Sequence, residues 1–229
     1  MFQGYLPMIL DGLRVTLSVA LVSLVVASVF GMLGASAKLS ASPVLRGIAG
    51  SYTTVIRALP DLLLMLVIFY GGQILLNRLT QAQGWGFIDI NPFIAGTLTL
   101  GFVFGAYLTE TFRGAILAIP RGQIEAAHAI GMARLEVLRD VVLPQMVRHA
   151  LPGFTNNWLV LLKATALVSI IGLDDMMFRA SLASAGTREP FTFYMLVGAI
   201  YLAVTTVSII GLGALNRRIS RSERREAAG

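Results

Sequence analysis

Residues 15–37 read VTLSVALVSLVVASVFGMLGASA, a stretch of 23 residues without a charged side chain. The hydrocarbon core of a bilayer is about 30 Å thick, and a helix needs about 20 residues to cross it. Two other uncharged runs reach that length, Ile90–Thr109 and Pro190–Asn216. The sequence therefore predicts at least three membrane-spanning helices.

Two weaker apolar segments complete the set of spans. Leu62–Asn77 reaches spanning length only when it is extended back through Asp61. The apolar segment after His149 is interrupted by Lys163 but is otherwise long enough to cross. We therefore predict a single-domain, all-α integral membrane protein over residues 1–229, with spans at about 10–35, 52–77, 91–117, 152–173 and 191–216.

The composition excludes several other classes of protein. The chain is 56% hydrophobic and 13% charged, with a mean hydropathy of +0.76, whereas soluble domains average about 25% charged residues. This apolar content also excludes a disordered chain. The net charge of +6 suggests nucleic acid at first sight, but basic residues spread along an apolar chain usually set membrane orientation. We therefore expect no nucleic-acid partner.

A signal peptide is the alternative interpretation of the first span. Ala35–Ala37 resembles a small-residue cleavage site, but no Lys or Arg precedes Asp11 and the apolar run is longer than a typical signal sequence. We expect this segment to remain as a span.

Connections rich in Lys and Arg alternate along the chain with connections poor in them, and this alternation predicts the orientation of the protein in the membrane. The first and third connections and the tail at 217–229 are rich in Lys and Arg, whereas the second and fourth connections are poor or balanced by acids. Cytoplasmic loops carry the excess of positive charge. The N-terminus is therefore expected outside, and the C-terminus and the loop at about 118–150 in the cytoplasm.

This loop has the pattern of an amphipathic helix. Gly131 at its centre favours a break into two short helices, and Pro144 is expected to end or kink the second. A helix that simply lies in the headgroup region is the alternative. The apolar positions recur at spacings of three and four: Ile124, Ala127, Gly131, Leu135, Leu138 and Val142.

The same loop carries a set of residues at fixed offsets that resembles a known motif. Glu125-Ala126-Ala127, Gly131, Val141 and Leu143-Pro144 resemble the EAA loop of bacterial ABC importer permeases, with Val141 replacing the usual Ile. In that family the loop is a coupling helix that docks on the ATP-hydrolysing subunit. The resemblance implies the five-helix core of a type I ABC importer permease.

Other elements narrow the resemblance to polar amino-acid permeases, and within them to the Q-type permeases of histidine and lysine/arginine/ornithine importers. Ala58 stands where that subfamily has Gly. The matching segments are Arg57–Asp61, Tyr70-Gly71 with Gln73, Ile88–Ile90 with Pro92, Gly105–Tyr107 with Glu110 and Arg113-Gly114, and Lys163–Leu167.

This resemblance implies a function and an assembly. The chain would be an inner-membrane subunit that takes up basic amino acids (histidine, arginine, lysine or ornithine) by alternating access. It would pair with a second related permease as a heterodimer, bind two ATPase subunits and receive substrate from a periplasmic binding protein. ATP and Mg²⁺ would bind to the ATPase, and this chain would carry no cofactor.

Four ionisable residues in or near the spans are candidates for the substrate pathway: Asp61, Glu110, Arg113 and Lys163. Glu110 and Arg113 share a helix face, so they either pair with each other or Glu110 attracts a cationic substrate. Asp61 follows Pro60 and either caps a helix or faces the pathway. Lys163 is expected to pair with Asp61 or Glu110 in preference to contacting substrate.

Uncharged polar residues of the fourth span are further candidates. Asn157, Thr165 and Ser169 either line the pathway or form hydrogen bonds within their own helix. Gly101 and Gly105 form a G-x-x-x-G pair that suits close helix contact, including contact with a second permease.

No catalytic or metal site is predicted. The two lysines, Lys38 and Lys163, do not follow a glycine, which excludes a nucleotide-binding loop of the G-x-x-x-x-G-K type. His128 and His149 lack the spacing of a metal site, and His128 is expected to be a solvated loop residue. An ion-coupled secondary transporter that uses Asp61 or Glu110 is the first alternative. The second is a membrane-embedded enzyme, against which the absence of catalytic motifs argues, and the third is a non-transporting assembly subunit, which is the hardest to reject from one chain.

Overall fold

The computed structural model describes residues 2–226, with the side chains of 4–217. Its helices are α1 (Phe2–Leu39), α2 (Pro43–Ala58), α3 (Asp61–Ala82), α4 (Pro92–Leu117), α5 (Arg121–Ala129), α6 (Arg134–Glu136), α7 (Leu143–Ala164), α8 (Met176–Thr187) and α9 (Pro190–Glu226). A π-helical stretch, Val137–Val142, joins α6 to α7, and a 3₁₀ stretch, Thr165–Ile171, follows α7. Of the basic tail at 217–229, the backbone is helical to Glu226, and the later residues and the side chains after 217 lie outside the described residues.

Five helical segments of the described chain are long and apolar enough to cross a membrane. The third and fifth begin within a residue or two of their predicted starts. The first is longer than predicted at both ends, and the fourth begins well before its predicted start. These segments are Gly4–Leu39, Asp61–Ala82, Pro92–Leu117, Arg134–Ile171 and Pro190–Arg217.

The predicted continuous span at 52–77 is wrong, because the chain breaks between α2 and α3. Leu59 is extended, with φ −102° and ψ 147°, and Pro60 follows it. A proline disfavours the helical conformation in the preceding residue and has no N–H to donate. Ser42 caps the start of α2 by accepting a hydrogen bond from the Leu45 N–H. The second span is therefore α3 alone, and α2 is a separate helix.

Ala58, at the end of α2, explains why the usual glycine of this element is dispensable. Among the described non-glycine residues, Arg188 alone has a positive φ. Ala58 therefore has an ordinary backbone conformation that requires no glycine.

Helix α8 lies within the predicted fourth connection, for which the sequence predicted no helix. Asp175 caps its N-terminus, with Oδ1 accepting from the Phe178 N–H at 2.9 Å. Arg179 donates to both oxygens of Asp174 and to the Met8 carbonyl of α1, each at 2.9 Å. The helix also packs its buried Met176 in a small apolar cluster with α1 and α9. It is therefore part of the packed bundle.

Helix α4 is at the centre of the subunit and packs chiefly on α1. In its most apolar stretch 61% of the residues are buried, compared with 6% in α9. A Cβ atom at Gly101 would lie 2.4 Å from Val26 Cγ1, and one at Gly105 would lie 2.5 Å from Phe30 Cβ. The G-x-x-x-G pair therefore brings α1 and α4 together within the subunit.

Asp175 makes the stability of the fold dependent on pH. The residue is 1% exposed and its Oδ2 has no hydrogen-bond partner. Burial raises the pKa of Asp175 from 3.8 to about 6. Between these values the unfolded chain has lost the proton that the folded chain retains, so stability falls as pH rises. The full difference between the folded and unfolded pKa values corresponds to roughly 3 kcal/mol of unfolding free energy.

We expect Asp175→Asn to remove this part of the pH dependence, since Asn is an equally good helix cap and carries no charge. Thermal unfolding in detergent, followed by tryptophan fluorescence across pH 4–6, measures the difference between the two proteins. The wild-type midpoint should fall with rising pH relative to the variant. Parallel curves would show that Asp175 ionises normally.

Candidate coupling loop and substrate pathway

The predicted break at Gly131 is confirmed. Gly131 has a φ of +88°, a conformation that favours glycine. Its N–H donates to the His128 carbonyl at 3.0 Å, and the Met132 N–H donates to the Ala127 carbonyl at 3.1 Å. These two bonds form a Schellman motif that ends α5. The chain then turns into α6, where the Glu136 carboxylate accepts from the Ala133 N–H at 2.7 Å.

The predicted end or kink of the second helix at Pro144 takes a different form. Pro144 lies in the first turn of α7, directly after the π-helical stretch, and the helical run continues to Ile171. The second half of the loop is therefore the cytoplasmic-side extension of the fourth span, under the predicted orientation.

The predicted apolar stripe is only partly buried. Ala127 and Val142 are buried as expected, but Leu135 is 74% exposed and Leu138 is 47% exposed, while Val137 is buried instead. The turn at Gly131 and the π-helical stretch both rotate the following residues relative to a continuous α-helix. An α-helical spacing of three and four that is extended across them therefore predicts the wrong buried residues.

The residues of the predicted motif divide into an exposed and a buried set. Glu125 and Ala126 on α5 are exposed, as are Leu143 and Pro144, whereas Ala127 is buried and Val141 is partly buried. We define the docking face as the exposed residues Glu125, Ala126, Ile130, Leu135 and Leu138, of which Ile130 is 80% exposed.

A polar groove of about 390 Å³ lies between α5 and the start of α7. His149 lines it, whereas His128 is exposed on α5 as predicted. Within residues 4–217 no group of three or more His, Asp or Glu side chains is arranged to hold a metal ion. The other lining residues are Gln123, Asp140, Val141, Pro144, Gln145 and Arg148.

Glu110 is bound between two cations. Arg113 Nε donates to Glu110 Oε2 at 3.1 Å, so these two side chains form the pair that was one of the two alternatives, and Lys38 Nζ at the end of α1 donates to Glu110 Oε1. The Lys38 and Glu110 side chains are 16% and 24% exposed. Sequence reasoning assigned Lys38 only to a connection, because no local pattern indicates a partner on another helix.

A cavity of about 400 Å³ adjoins this charge cluster. Arg57 of α2 lines the cavity, and its guanidinium carbon lies 5.5 Å from the centre of the Tyr107 ring. Asp61, half-buried in the first turn of α3, also acts electrostatically on Tyr107. Asp61 has no salt-bridge partner in the described chain. The remaining lining residues are Lys38, Thr53, Thr54, Ala58 and Glu110.

The predicted pairing of Lys163 with Asp61 or Glu110 is wrong. Lys163 is exposed and has no acidic partner among the described side chains, and the Glu110 carboxylate is occupied by Lys38 and Arg113. Lys163 instead lies on an exposed stripe of α7 together with Asn156 and Val160.

The other polar candidates of the fourth span form hydrogen bonds inside the subunit. Asn157 Nδ2 donates to Thr111 Oγ1 of α4 at 2.9 Å. Thr165 Oγ1 donates to the Leu162 carbonyl at 2.7 Å and lies 3.2 Å from the Tyr201 hydroxyl. Ser169 donates to the Ala166 carbonyl at 2.6 Å, within its own helical segment.

Residues 27–221 match the family described as "Binding-protein-dependent transport system inner membrane component". The chain is 52% identical over 220 residues to the histidine/lysine/arginine/ornithine transport system permease protein HisQ of Escherichia coli (strain K12), covering 96% of each chain. It is 43% identical over 194 residues to the octopine transport system permease protein OccQ of Rhizobium radiobacter, covering 84% of this chain and 82% of OccQ.

The fold is also similar to a crystal structure of an amino acid ABC transporter with histidines. The TM-score is 0.80 at 31% sequence identity, and the similarity covers 95% of this chain and 96% of that chain.

Proposed function

The chain belongs to the family of binding-protein-dependent transport system inner membrane components, and from that premise we propose its substrate, its assembly and the roles of its residues. It is a permease subunit of an amino-acid ABC importer, and ATP hydrolysis belongs to partner subunits. The ion-coupled alternative is not favoured, because the relatives are permease components of ABC importers.

The docking face is the observation on which we base the proposal that this subunit couples to an ATP-binding subunit. Ile130 and Leu135 are exposed apolar side chains on a short polar loop that also carries the exposed Glu125. Exposed apolar clusters rimmed by polar residues are typical of protein interaction sites. We assign this face to an ATP-binding subunit, with two such subunits in the assembly. Ala127 and Val141 support the face from beneath, because both pack into the core.

The exposed stripe of α7 supports pairing with a second permease. Lys163 is charged, lies in a spanning segment and has no acidic partner in the described chain. Such a residue in a membrane needs a water-filled path or a partner. A second, related permease placed against Asn156 and Lys163 would supply a partner for Lys163. It would also enclose a water-filled pathway shared by the two subunits.

The proposed orientation places the N-terminus outside and the C-terminus in the cytoplasm of a bacterium. The basic connection after α1 and the loop at 118–150 are then cytoplasmic. A periplasmic binding protein delivers substrate at the opposite side. ATP and Mg²⁺ bind to the partner ATPase, and ATP binding there shifts the permeases between inward-facing and outward-facing states.

We propose basic amino acids as the substrate, and Asp61 as the acid that attracts their cationic side chains. The similarity to HisQ supports the substrate class, since the name of that protein includes histidine, lysine, arginine and ornithine. Glu110 is neutralised by two cations. Asp61, in the first turn of α3, has no salt-bridge partner among the described residues, so it is the more available negative charge.

Replacement of Asp61 by Asn is expected to reduce arginine-stimulated ATPase activity at least tenfold, because the substrate cation loses its counter-charge. The measurement is ATP hydrolysis by the reconstituted complex with binding protein loaded with arginine, lysine, histidine or glutamate. Asp11→Asn is the matched control, since Asp11 is an exposed acid paired with Arg14 at 3.4 Å. Equal stimulation by glutamate would overturn the substrate class, and full activity of the Asp61 variant would overturn its role.

A further inference from the structure

We propose that Arg57 binds the α-carboxylate of the transported amino acid, in the cavity between α1, α2 and α4. This inference rests on the proposed function, because it assumes that an amino acid passes through the subunit. It adds a subsite for the anionic end of the substrate, which the acids of the pathway cannot bind.

The cavity is an open depression with polar and charged walls, and it is large enough to hold part of a small molecule. Its volume is about 400 Å³, within the range of ligand pockets. It is lined by both hydroxyl and charged groups, and it adjoins the break between α2 and α3. A zwitterion therefore finds both hydrogen-bonding and charged partners there.

Arg57 is the available cation of this cavity. Lys38 also lines it, but its ammonium is bound to Glu110. Arg113, next to the cluster, is bound to the same carboxylate. Arg57 has no acidic hydrogen-bond partner in the described part of the chain, and its guanidinium rests over Tyr107. Its hydrogen-bond donors therefore remain free for an incoming anion.

The guanidinium suits a carboxylate better than other groups in the cavity do. Arginine offers a planar fork of donors that matches the two oxygens of a carboxylate, and stacking on an aromatic ring fixes the orientation of that fork. Thr54 offers a second donor, since it lines the cavity, is exposed, and forms no side-chain hydrogen bond with another described residue. Thr53, in contrast, already donates to the Gly50 carbonyl at 3.1 Å.

The opposite charges near Tyr107 match the two ends of an amino acid. Arg57 and Asp61 flank the Leu59–Pro60 break and both act electrostatically on Tyr107, but they form no salt bridge with each other. Arg57 lines the cavity and can bind a carboxylate through charge-assisted hydrogen bonds, while Asp61, on the other side of the break, can attract a cation.

The test is binding of L-arginine and of agmatine, which is arginine without its carboxylate, to the permease–ATPase complex in nanodiscs without binding protein. Competition against labelled L-arginine gives both affinities. The wild-type complex should prefer L-arginine, and Arg57→Gln should weaken L-arginine about tenfold or more while leaving agmatine unchanged. Arg57→Lys should retain part of the preference for L-arginine over agmatine.

The matched control is Arg46→Gln on the same helix, because Arg46 is bound to the carbonyls of Ser40 and Ala41 at 3.1 and 3.2 Å. It should change neither affinity. Equal weakening of both ligands by Arg57→Gln, or no weakening, would overturn the proposal, and so would transfer of the effect to Lys163→Gln.

Failure of the proposed function gives a different result. If the wild-type complex prefers an amino acid that is not basic, the substrate class is wrong, and an Arg57→Gln complex that loses its preference for that amino acid over the decarboxylated amine still supports the subsite, whereas an unchanged preference overturns it. A wild-type complex with intact ATPase activity that binds no amino acid overturns the subsite but leaves coupling in place.

Discussion

Replacement of Glu125 by lysine is expected to abolish ATP-driven uptake while the subunit stays folded in the membrane. Glu125 is exposed on α5, and its carboxylate forms no hydrogen bond or ion pair with another described residue, so its replacement removes no such interaction within the described chain. Charge reversal at a docking surface loses the attraction to a basic partner group and adds repulsion, together worth several kcal/mol. We expect uptake to fall at least 100-fold.

The measurement combines uptake with co-purification of the ATPase subunit. Glu189→Lys is the control, because Glu189 is also an exposed glutamate, in the connection between α8 and α9, on the opposite side in the proposed orientation. It should leave both readouts intact. Wild-type uptake by the Glu125 variant would remove this residue from the docking face.

Replacement of Glu110 by glutamine is expected to destabilise the subunit by about 2–3 kcal/mol and to lower its thermal midpoint in detergent. The change leaves the Lys38 ammonium in a site where that side chain is only 16% exposed, without its counter-charge. Lys38→Met combined with Glu110→Met should recover much of the loss, because the buried ammonium is then absent; Arg113, 39% exposed, can be solvated.

The same variants separate a structural from a transport role for Glu110. Uptake per folded complex should be unchanged in Glu110→Gln, because the carboxylate connects α1 to α4 and is not free to bind a cation. A Glu110→Gln protein with wild-type stability that no longer transports cationic amino acids would return Glu110 to the substrate pathway.

The spans were predictable because hydrophobicity is a local property of the sequence. The uncharged run 15–37 lies within α1, and the run Ile90–Thr109 lies within α4 from Pro92 onward. The break at Gly131 was also predictable from a local signal, because glycine is the residue that most readily adopts a positive φ. The resemblance of the cytoplasmic loop to the EAA motif was visible in the sequence because the matching residues occur at fixed offsets.

Other features depend on contacts between distant residues or on signals that were given too little weight. The Lys38–Glu110 pair joins residues 72 apart in the sequence, which no periodicity indicates. The Leu59–Pro60 break could have been predicted from the proline, and Asp175 is a helix-cap signal for α8. Leu135 was misplaced because helical spacing was counted across a turn.

The most direct test of the central claim is uptake of labelled L-arginine by proteoliposomes that contain the whole complex. Uptake should require the binding protein on one side and ATP with Mg²⁺ on the other, and should persist when proton and sodium gradients are collapsed. Proteoliposomes with this chain alone should transport nothing. Gradient-driven uptake by this chain alone, without ATP, would contradict the account.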